Sequence, residues 1–309
     1  MKRVRLWSPA TIGNVGPGFD CLGLCVEGLG DVFEVTLVAE DRIISVTGPG
    51  ANIIPRDPEK NTVTLAAQAV FKALGITAGV EVRIERALPI AGGLGSSAAS
   101  AVAGAKAALV LLGVDDDELL LRAALEAEEF VAGRHLDNIA PCVYGGLVLV
   151  QDTEALSLIE LPTPSNWWLT LLSPQQLMPT KESRNALPKQ VGWALMVKQM
   201  TSALAVVRAF ETGDRDLLVR SFNDYFAEPC RGPLISGFMQ IKRAALDNGA
   251  MACSISGGGP TVFAISENEQ IAARAGAAMA KYSENCGLHV GKIGSDGVKI
   301  LEVEGVSKP

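Results

Sequence analysis

A glycine-rich segment between a predicted strand and a predicted helix constrains the fold of this chain most strongly. Residues 80–88 begin by alternating between apolar and polar side chains, which predicts a half-buried strand. Residues 98–112 are rich in Ala, Leu and Val and contain no proline, which predicts a packed helix. Between them lie three glycines and two adjacent serines, in a segment that consists of Pro89, Ile90, Ala91, Gly92, Gly93, Leu94, Gly95, Ser96, Ser97, Ala98 and Ala99.

This order of elements is suited to binding phosphate. Glycines let the backbone approach a ligand closely. The first N–H groups of a helix have no internal partner, and the helix dipole favours an anion there. The segment therefore predicts a phosphate-binding loop, although a plain glycine turn that leads into a helix is the alternative if the segment is taken alone.

Two common phosphate-loop patterns fit this segment poorly. The P-loop requires Gly-Lys-Ser/Thr, whereas Gly95 is followed by Ser96 and the next lysine downstream is Lys106. The dinucleotide pattern G-x-G-x-x-A matches residues 93–98, and acidic residues follow at 115–117. Those acids should end a second strand, but Asp115 instead begins a predicted helix, with Glu118 as a capping-box-like partner.

Composition limits the kinds of protein this chain can be. With 309 residues, 48% hydrophobic and only 5% aromatic, and with 32 glycines, it predicts one large or two ordinary α/β domains. A net charge of −7 without a long basic run argues against a nucleic-acid partner. The six cysteines form no C-x-x-C pair, which favours reduced thiols in a cytoplasmic protein. No signal peptide or membrane-spanning run is evident.

A second loop, residues 8–23, carries four glycines and two prolines close to the N-terminus. Its polar side chains include Asn14 and Asp20. Asn both donates and accepts hydrogen bonds and Asp only accepts them, so together they could hold the amine and hydroxyl groups of a substrate. The alternative is a turn in which both side chains bond to their own backbone.

Three segments resemble the motifs of the GHMP kinases, in the family's order and at suitable distances. Residues 9–20 fit Pro-Ala-Ser/Thr-x-x-Asn-x-Gly-x-Gly-Phe-Asp, the form typical of the homoserine kinases within that family. Residues 89–98 fit Pro-x-x-x-Gly-Leu-Gly-Ser-Ser-Ala. Residues 254–261 are similar to the third motif, with Gly258 in place of a serine. Fold alone does not give function, so the substrate depends on individual residues.

The resemblance implies an α+β GHMP kinase fold with two domains. Residues 1–163 would form the ATP-binding domain, which is like the second domain of ribosomal protein S5 and has an unusual left-handed crossover. Residues 164–309 would form a ferredoxin-like C-terminal domain. By analogy the protein would be a homodimer. We expect no nucleic-acid or membrane partner.

The resemblance also implies the reaction, an ATP-dependent and Mg²⁺-dependent phosphorylation of L-homoserine to O-phospho-L-homoserine. The whole glycine loop, 89–99, would surround the nucleotide together with Asn61, Gly257, Gly258 and Gly259. Asn61 would lie near the adenine, although it also predicts a helix N-cap. Glu128, five residues before Gly133, would bind Mg²⁺ with Ser97, because Mg²⁺ takes one or two carboxylates plus phosphate oxygens. Glu126 is the fallback ligand.

The substrate residues implied by the resemblance are Asn14, Asp20, His135, Arg184 and Arg231. The two arginines would bind a carboxylate, which the planar guanidinium does bidentately. The catalytic residues would be Asn14, Asp20 and Asn138. Asn138 replaces the aspartate base of related kinases and cannot accept a proton, so catalysis would come from positioning and charge screening, with Asp20 as an alternative base.

Two other functions are open from the sequence. The chain could phosphorylate another small hydroxy acid, such as mevalonate, or it could be a non-catalytic ligand sensor on the same fold. Outside the site, residues 189–210 predict a helix with an apolar stripe in the core, formed by Val191, Leu195, Met200, Leu204 and Val207. Met239 and Met251 are also predicted to lie in the core.

Overall fold

The computed structural model describes residues 2–306, apart from the side chain of Thr180. The strands are β1 (Arg3–Gly13), β2 (Leu22–Val38), β3 (Arg42–Thr47), β4 (Gly79–Glu85), β5 (Leu147–Asp152), β6 (Ser157–Leu161), β7 (Trp168–Ser173), β8 (Ala252–Ile255), β9 (Val262–Ser266), β10 (Gly287–Lys292) and β11 (Lys299–Glu304). The helices are α1 (Thr62–Ala73), α2 (Ser96–Leu112), α3 (Asp117–Val131), α4 (Ile139–Tyr144), α5 (Thr180–Asn185), α6 (Trp193–Thr212), α7 (Arg215–Ser221), α8 (Glu228–Arg231), α9 (Phe238–Asp247) and α10 (Glu269–Met279).

The first sheet positions the glycine loop. Its strand order is β11-β1-β2-β4-β3, and β5 and β6 extend it from β2. The alternation predicted in β4 is observed, with Val80, Val82 and Ile84 buried. The loop leaves this strand and enters α2, whose buried residues lie on nearly every side, as expected for a packed helix. β3 and β4 pair in parallel and are connected through α1. The left-handed crossover that the resemblance implies stays a prediction.

The second sheet has the order β10-β7-β9-β8, and all of its strand pairs are antiparallel. In chain order this is 4-1-3-2, which is the ferredoxin-like arrangement predicted for the C-terminal half. Helices α9 and α10 pack on this sheet. The predicted α+β class with two different sheets is therefore confirmed.

The last strand of the chain does not belong to the second sheet. β11 pairs antiparallel with β1, so that Arg3 lies opposite Glu304. The main hydrophobic core likewise extends from the first sheet to Trp167, Phe210 and Phe263. A boundary at residues 163/164 therefore stays a proposal, and the final strand crosses it.

Two predictions about packing and one about a helix cap are wrong. Helix α6 begins at Trp193, and Val191, Met200 and Leu204 are exposed, because periodicity reveals a helix face but not what covers it. The buried face instead carries Ser202, Val206, Ala209 and Phe210, and within the predicted stripe Leu195 and Val207 are half-buried, with Val207 packed against the core. Met239 is also 67% exposed, whereas Met251 is buried as predicted. Finally, Asp116 rather than Asp115 caps α3, by accepting from the Leu119 N–H.

Within residues 2–306, no helix is both long enough and apolar enough to cross a membrane.

Candidate active site

A cavity of about 340 Å³ lies where the glycine loop meets the second half of the chain. Residues of both halves line it: Asn14, Asp20, Ile53, Ile54, Pro55, Lys60, Thr62, Ile90, Ala91, Gly92, Gly93, Gly95, Ser96, Ser97, Ser100, Glu128, Val131, Ala132, His135, Asp137, Asn138, Pro179, Arg184, Arg231, Gly257 and Gly258. The structure therefore brings most of the predicted site residues together.

The glycine loop directs its carbonyl groups away from the cavity. The carbonyls of Ala91, Gly92, Gly93 and Leu94 accept hydrogen bonds, respectively, from the Met178 N–H, the Thr261 N–H, the Ser256 hydroxyl and the Thr11 N–H. Within the described residues, the N–H groups of Gly93 and Gly95 donate to no other protein group. The first N–H groups of α2 also lack intrahelical partners. The loop is thus arranged to offer donors to an anion.

Two positions in this loop accept only glycine. A Cβ at Gly93 would lie 2.4 Å from the Ser256 carbonyl oxygen, and one at Gly95 would lie 2.0 Å from Thr11 Oγ1. Both residues also have a positive φ, +77° and +63°. The glycines therefore allow the loop to press against the second half of the chain and against β1.

Four residues of the predicted loop do not line the cavity. Leu94, Ala98 and Ala99 are buried in the core, because α2 packs on its neighbours immediately after the loop. Pro89 lines a separate cleft near β10.

The third motif offers fewer donors than its three glycines suggest. The Gly257 N–H donates to the Gly13 carbonyl at 3.0 Å, and the Gly259 N–H donates to the Ser256 carbonyl at 2.8 Å. Gly259 also lies outside the cavity lining. In the described part of the chain, only the Gly258 N–H of these three donates to no other protein group. The Gly258 carbonyl accepts from Ser183.

Ser97 and Glu128 form a pair at the end of the glycine loop. Ser97 Oγ donates to Glu128 Oε1 at 2.7 Å, while Glu128 Oε2 is buried without a partner. Burial raises the pKa of Glu128 to about 7, and the nearby Asp137 contributes. The fallback ligand Glu126 points elsewhere, with a 63% exposed side chain 3.7 Å from Lys72. An unpartnered buried carboxylate oxygen beside a hydroxyl suits a hard cation.

No group of three or more His, Cys, Asp and Glu side chains forms a metal cluster in residues 2–306. A Mg²⁺ site does not require such a cluster, because Mg²⁺ usually keeps several waters and takes phosphate oxygens alongside one or two carboxylates.

The N-terminal loop places Asn14 and Asp20 in left-handed backbone conformations, with φ of 59° and 56°. The Asn14 side-chain oxygen accepts from the Asp20 N–H at 2.8 Å, so the turn that the sequence left as an alternative forms at Asn14 only. This bond leaves the Asn14 amide NH₂ as the group that can donate to a ligand. The Asp20 side chain is not used by this turn.

Asp20 pairs instead with Arg184. Arg184 Nη2 donates to Asp20 Oδ2 at 2.6 Å, and Nη1 donates to the same carboxylate at 3.0 and 3.3 Å. His135 Nδ1 lies 3.9 Å from Asp20. Burial lowers the pKa of His135, and Arg184 and Arg231 lower it further, against the opposing effect of Asp20. At neutral pH we expect His135 to be uncharged.

Arg231 lies deeper than Arg184 and is only 4% exposed. Its guanidinium donates to the carbonyls of Gly257 and Ser183, at 3.0 and 3.4 Å. The ring of Phe19 lies within 5.5 Å of both guanidinium groups. The ring of Phe19 therefore contacts both arginines at one end of the cavity, and their binding of a carboxylate stays a prediction.

Asp137 is a cavity residue that sequence reasoning did not select. Its Oδ2 accepts from the Asn14 N–H at 3.1 Å, and its Oδ1 accepts from Asn138 Nδ2 at 3.3 Å. Burial raises its pKa to about 7, and the Asp20 charge adds to this effect. Asn138 also accepts from the Thr11 hydroxyl, so both of its polar atoms are engaged. The available signal was an adjacent Asp-Asn pair, residues 137 and 138, with the apolar Leu136 before it and Ile139 after it.

The mouth of the cavity is apolar on one side, with Ile53, Pro55 and Val131 in its lining. Asn61 does not line the cavity. It caps α1 by accepting from the Val63 N–H and donates to the Pro55 carbonyl at 2.9 Å. Asn61 therefore supports the apolar wall, and Lys60 beside it is a further lining residue that the sequence did not suggest.

Family comparisons cover both halves of the chain. The model described as GHMP kinases N terminal domain matches residues 61–146, and the one described as GHMP kinases C terminal matches residues 206–285. The homoserine kinase of Chlorobium phaeobacteroides strain BS1 is 37% identical, over 90% of this chain and 91% of the relative. That of Pyrococcus abyssi is 39% identical, over 87% and 89% respectively.

Solved structures agree with these matches. The crystal structure of homoserine kinase from Cytophaga hutchinsonii has a TM-score of 0.92 at 40% identity and covers 97% of each chain. Mevalonate kinase from L. major shares the fold, with a TM-score of 0.73 at 15% identity over 94% of this chain and 96% of its own. With matching motifs, sequence and architecture along nearly its whole length, this chain belongs to the GHMP kinase family.

Proposed function

We propose that this chain is an ATP-dependent homoserine kinase. It transfers the γ-phosphoryl group of ATP to the hydroxyl of L-homoserine and releases ADP and O-phospho-L-homoserine, a step of threonine biosynthesis. The observation that carries the proposal is a single cavity that joins the glycine loop to Asp20, Arg184 and Arg231. Curated relatives with 35–39% identity are named homoserine kinase, which supports the same acceptor.

The charged end of the cavity suits a zwitterionic amino acid. Arg184 and Arg231 can bind its carboxylate, because a guanidinium binds a carboxylate through two parallel hydrogen bonds. Asp20 can hold its ammonium group, while the Asn14 amide and His135 orient the hydroxyl end. Mevalonate has a carboxylate but no amine, so it would offer Asp20 no ammonium group beside the Arg184 guanidinium, and galactose has no carboxylate.

The other end of the cavity suits ATP. The loop N–H groups and the Gly258 N–H offer donors to the phosphates, in place of a P-loop lysine. The apolar mouth formed by Ile53, Pro55 and Val131 offers a surface to the base. The transferred phosphoryl group would then lie between the glycine loop and the acceptor hydroxyl.

We propose Glu128 and Ser97 as the protein groups that hold Mg²⁺. The orphaned Glu128 Oε2 supports this assignment. When bound, Mg²⁺ supplies charge screening of the phosphates. The protein holds the Glu128 carboxyl in place through Ser97, and the cation would keep that carboxyl ionised despite its burial.

Catalysis by this site depends mainly on positioning, which can supply about 7–11 kcal/mol of a barrier. Asn138 cannot accept the hydroxyl proton, and both oxygens of Asp20 already accept hydrogen bonds from Arg184. Asp137, with a pKa raised to about 7, is the carboxyl better suited to accept a proton. The Asn14 backbone N–H and the Asn138 side-chain amide both donate hydrogen bonds to the Asp137 carboxyl.

Four further properties remain proposals. We propose an ATP-binding domain at residues 1–163 and a C-terminal domain at 164–309, a homodimer by analogy, and no nucleic-acid or membrane partner. The cytoplasm is the proposed compartment because all six cysteines are unpaired thiols.

ADP release with Mg-ATP and a panel of L-homoserine, mevalonate, galactose and shikimate tests the proposal. Turnover with homoserine alone is expected. Turnover with mevalonate would overturn the role of Asp20 as an amine ligand. Nucleotide binding without turnover of any acceptor would instead identify a sensor.

A further inference from the structure

A buried ion pair lies beneath the glycine loop, outside the cavity lining. Arg86 Nη1 is 3.3 Å from Asp31 Oδ2, and both side chains are completely buried. Taking two charges out of water costs several kcal/mol per ion, on the order of what their attraction returns. Well-packed apolar residues of similar volume often serve stability equally well, so the contacts of this pair suggest another role.

The pair holds both ends of the glycine loop. Asp31, on β2, accepts at Oδ1 from the Ala87 N–H at 2.7 Å and the Leu88 N–H at 2.9 Å, where the loop begins. Arg86 Nη2 donates to the Leu88 carbonyl at 3.2 Å and to Ser96 Oγ, where the loop ends in α2. The sheet, the start of the loop and its end are therefore joined through one guanidinium group.

This contact decides the direction of the Ser96 hydroxyl. A guanidinium group can only donate, so Ser96 Oγ must accept from Arg86, and its own proton is left for another acceptor. Ser96 lines the cavity. The neighbouring Ser97 has the opposite role, because it donates its proton to Glu128. The two adjacent serines thus have different hydrogen-bonding roles, because Ser96 contacts a donor, Arg86, and Ser97 contacts an acceptor, Glu128.

We propose that Arg86, held by Asp31, is a positioning residue that orients the Ser96 hydroxyl as a donor to a phosphate oxygen of the bound nucleotide. The inference rests on the proposed function for the identity of the ligand. It adds a hydroxyl donor to the loop N–H groups, at a site that has no P-loop lysine. Asp31, its ionic partner, keeps the guanidinium in place, so that the hydrogen bond from Arg86 to Ser96 has a fixed geometry.

Isothermal titration with Mg-ADP tests this role without requiring an acceptor. We expect Ser96→Ala to weaken ADP binding about tenfold, since a hydrogen bond to a charged group contributes about that factor. Arg86→Lys keeps the charge but loses the forked contact, and should weaken binding to a similar extent. The double variant Arg86→Lys with Ser96→Ala should bind ADP only slightly more weakly than Ser96→Ala alone, because both substitutions remove the same interaction. The KM for homoserine should stay unchanged throughout.

A double variant separates positioning from stability. Arg86→Met with Asp31→Asn leaves no uncompensated buried charge, so we expect thermal stability near that of the parent, with ADP binding still weakened. Arg83→Met, which removes an exposed arginine of β4 that pairs with Glu34, is the matched control and should bind ADP normally.

Parental ADP affinity in the stable double variant, or full additivity of Ser96→Ala and Arg86→Lys, would overturn this inference alone. A parent protein that binds no nucleotide would overturn the proposed function and this inference together.

Discussion

Replacing Glu128 by Gln should make the metal-free protein more stable at alkaline pH while it removes Mg²⁺-dependent turnover. Glu128 is 7% exposed, and one of its oxygens has no partner. Burial raises its pKa from 4.5 to about 7. Because a tenfold change in a proton equilibrium corresponds to about 1.4 kcal/mol, this rise in pKa means that the ionised carboxylate costs the folded state about 3 kcal/mol.

The direction of this pH dependence follows from the number of protons that Glu128 binds in the folded and unfolded chain. Between pH 4.5 and about 7 the folded chain retains a proton on Glu128 that the unfolded chain has lost. Stability contributed by this group therefore falls as pH rises through that window. The gain in stability on substitution by Gln should be at most about 1 kcal/mol near pH 5 and about 3 kcal/mol near pH 8. Gln can still accept the Ser97 hydroxyl, so the local packing should be retained.

Urea unfolding in the presence of a chelator, at both pH values, measures this difference. Glu126→Gln is the matched control on the same helix, because its side chain is 63% exposed and should change neither stability nor turnover. Equal stability of parent and Glu128→Gln at pH 8 would refute the burial argument. Retained Mg²⁺-dependent turnover would remove Glu128 from the metal site.

Three further substitutions test other parts of the site. Arg184→Ala should raise the KM for homoserine at least about tenfold without changing the KM for ATP, and unchanged homoserine kinetics would exclude the carboxylate role. Gly95→Ala would place a Cβ 2.0 Å from Thr11 Oγ1, so we expect a lower melting temperature by calorimetry and weaker ATP binding; normal values would contradict the geometry. Asp137→Asn should lower kcat about 10²–10⁴-fold if Asp137 accepts the proton, with little change in KM, and an unchanged kcat would rule this out.

Sequence reasoning succeeded where the chemistry is local. A strand, a glycine loop and a helix start are adjacent in the chain, so residues 80–112 predicted both the fold around the loop and its suitability for phosphate. The ferredoxin-like order of the second sheet was implied by a family resemblance rather than by any single segment. Ser97 and Glu128 were paired on the same basis, and the structure brings them to 2.7 Å.

Prediction failed where the deciding partner is distant in sequence. The amphipathic stripe of α6 was assigned to the core, but Leu204 is 67% exposed, because nothing in the pattern shows which face has a partner. Asp31 and Arg86 lie 55 positions apart, and neither has a motif. Asn138 was selected because it stands where related kinases have an aspartate, and only the folded structure shows that its neighbour Asp137 lines the cavity and accepts from the distant Asn14 N–H.

The site explains why the two halves of this chain function as one unit. Three carbonyls of the glycine loop, which point away from the cavity, accept hydrogen bonds from Met178, Ser256 and Thr261, all from the second half. Arg184, also from that half, holds Asp20 of the first. β11 then returns to the first sheet and covers the edge of β1. A nucleotide site built on the first half alone would keep only the Leu94 carbonyl anchored, through Thr11, and would lack both arginines proposed to bind a carboxylate, so phosphoryl donor and acceptor can meet only when both halves are in place.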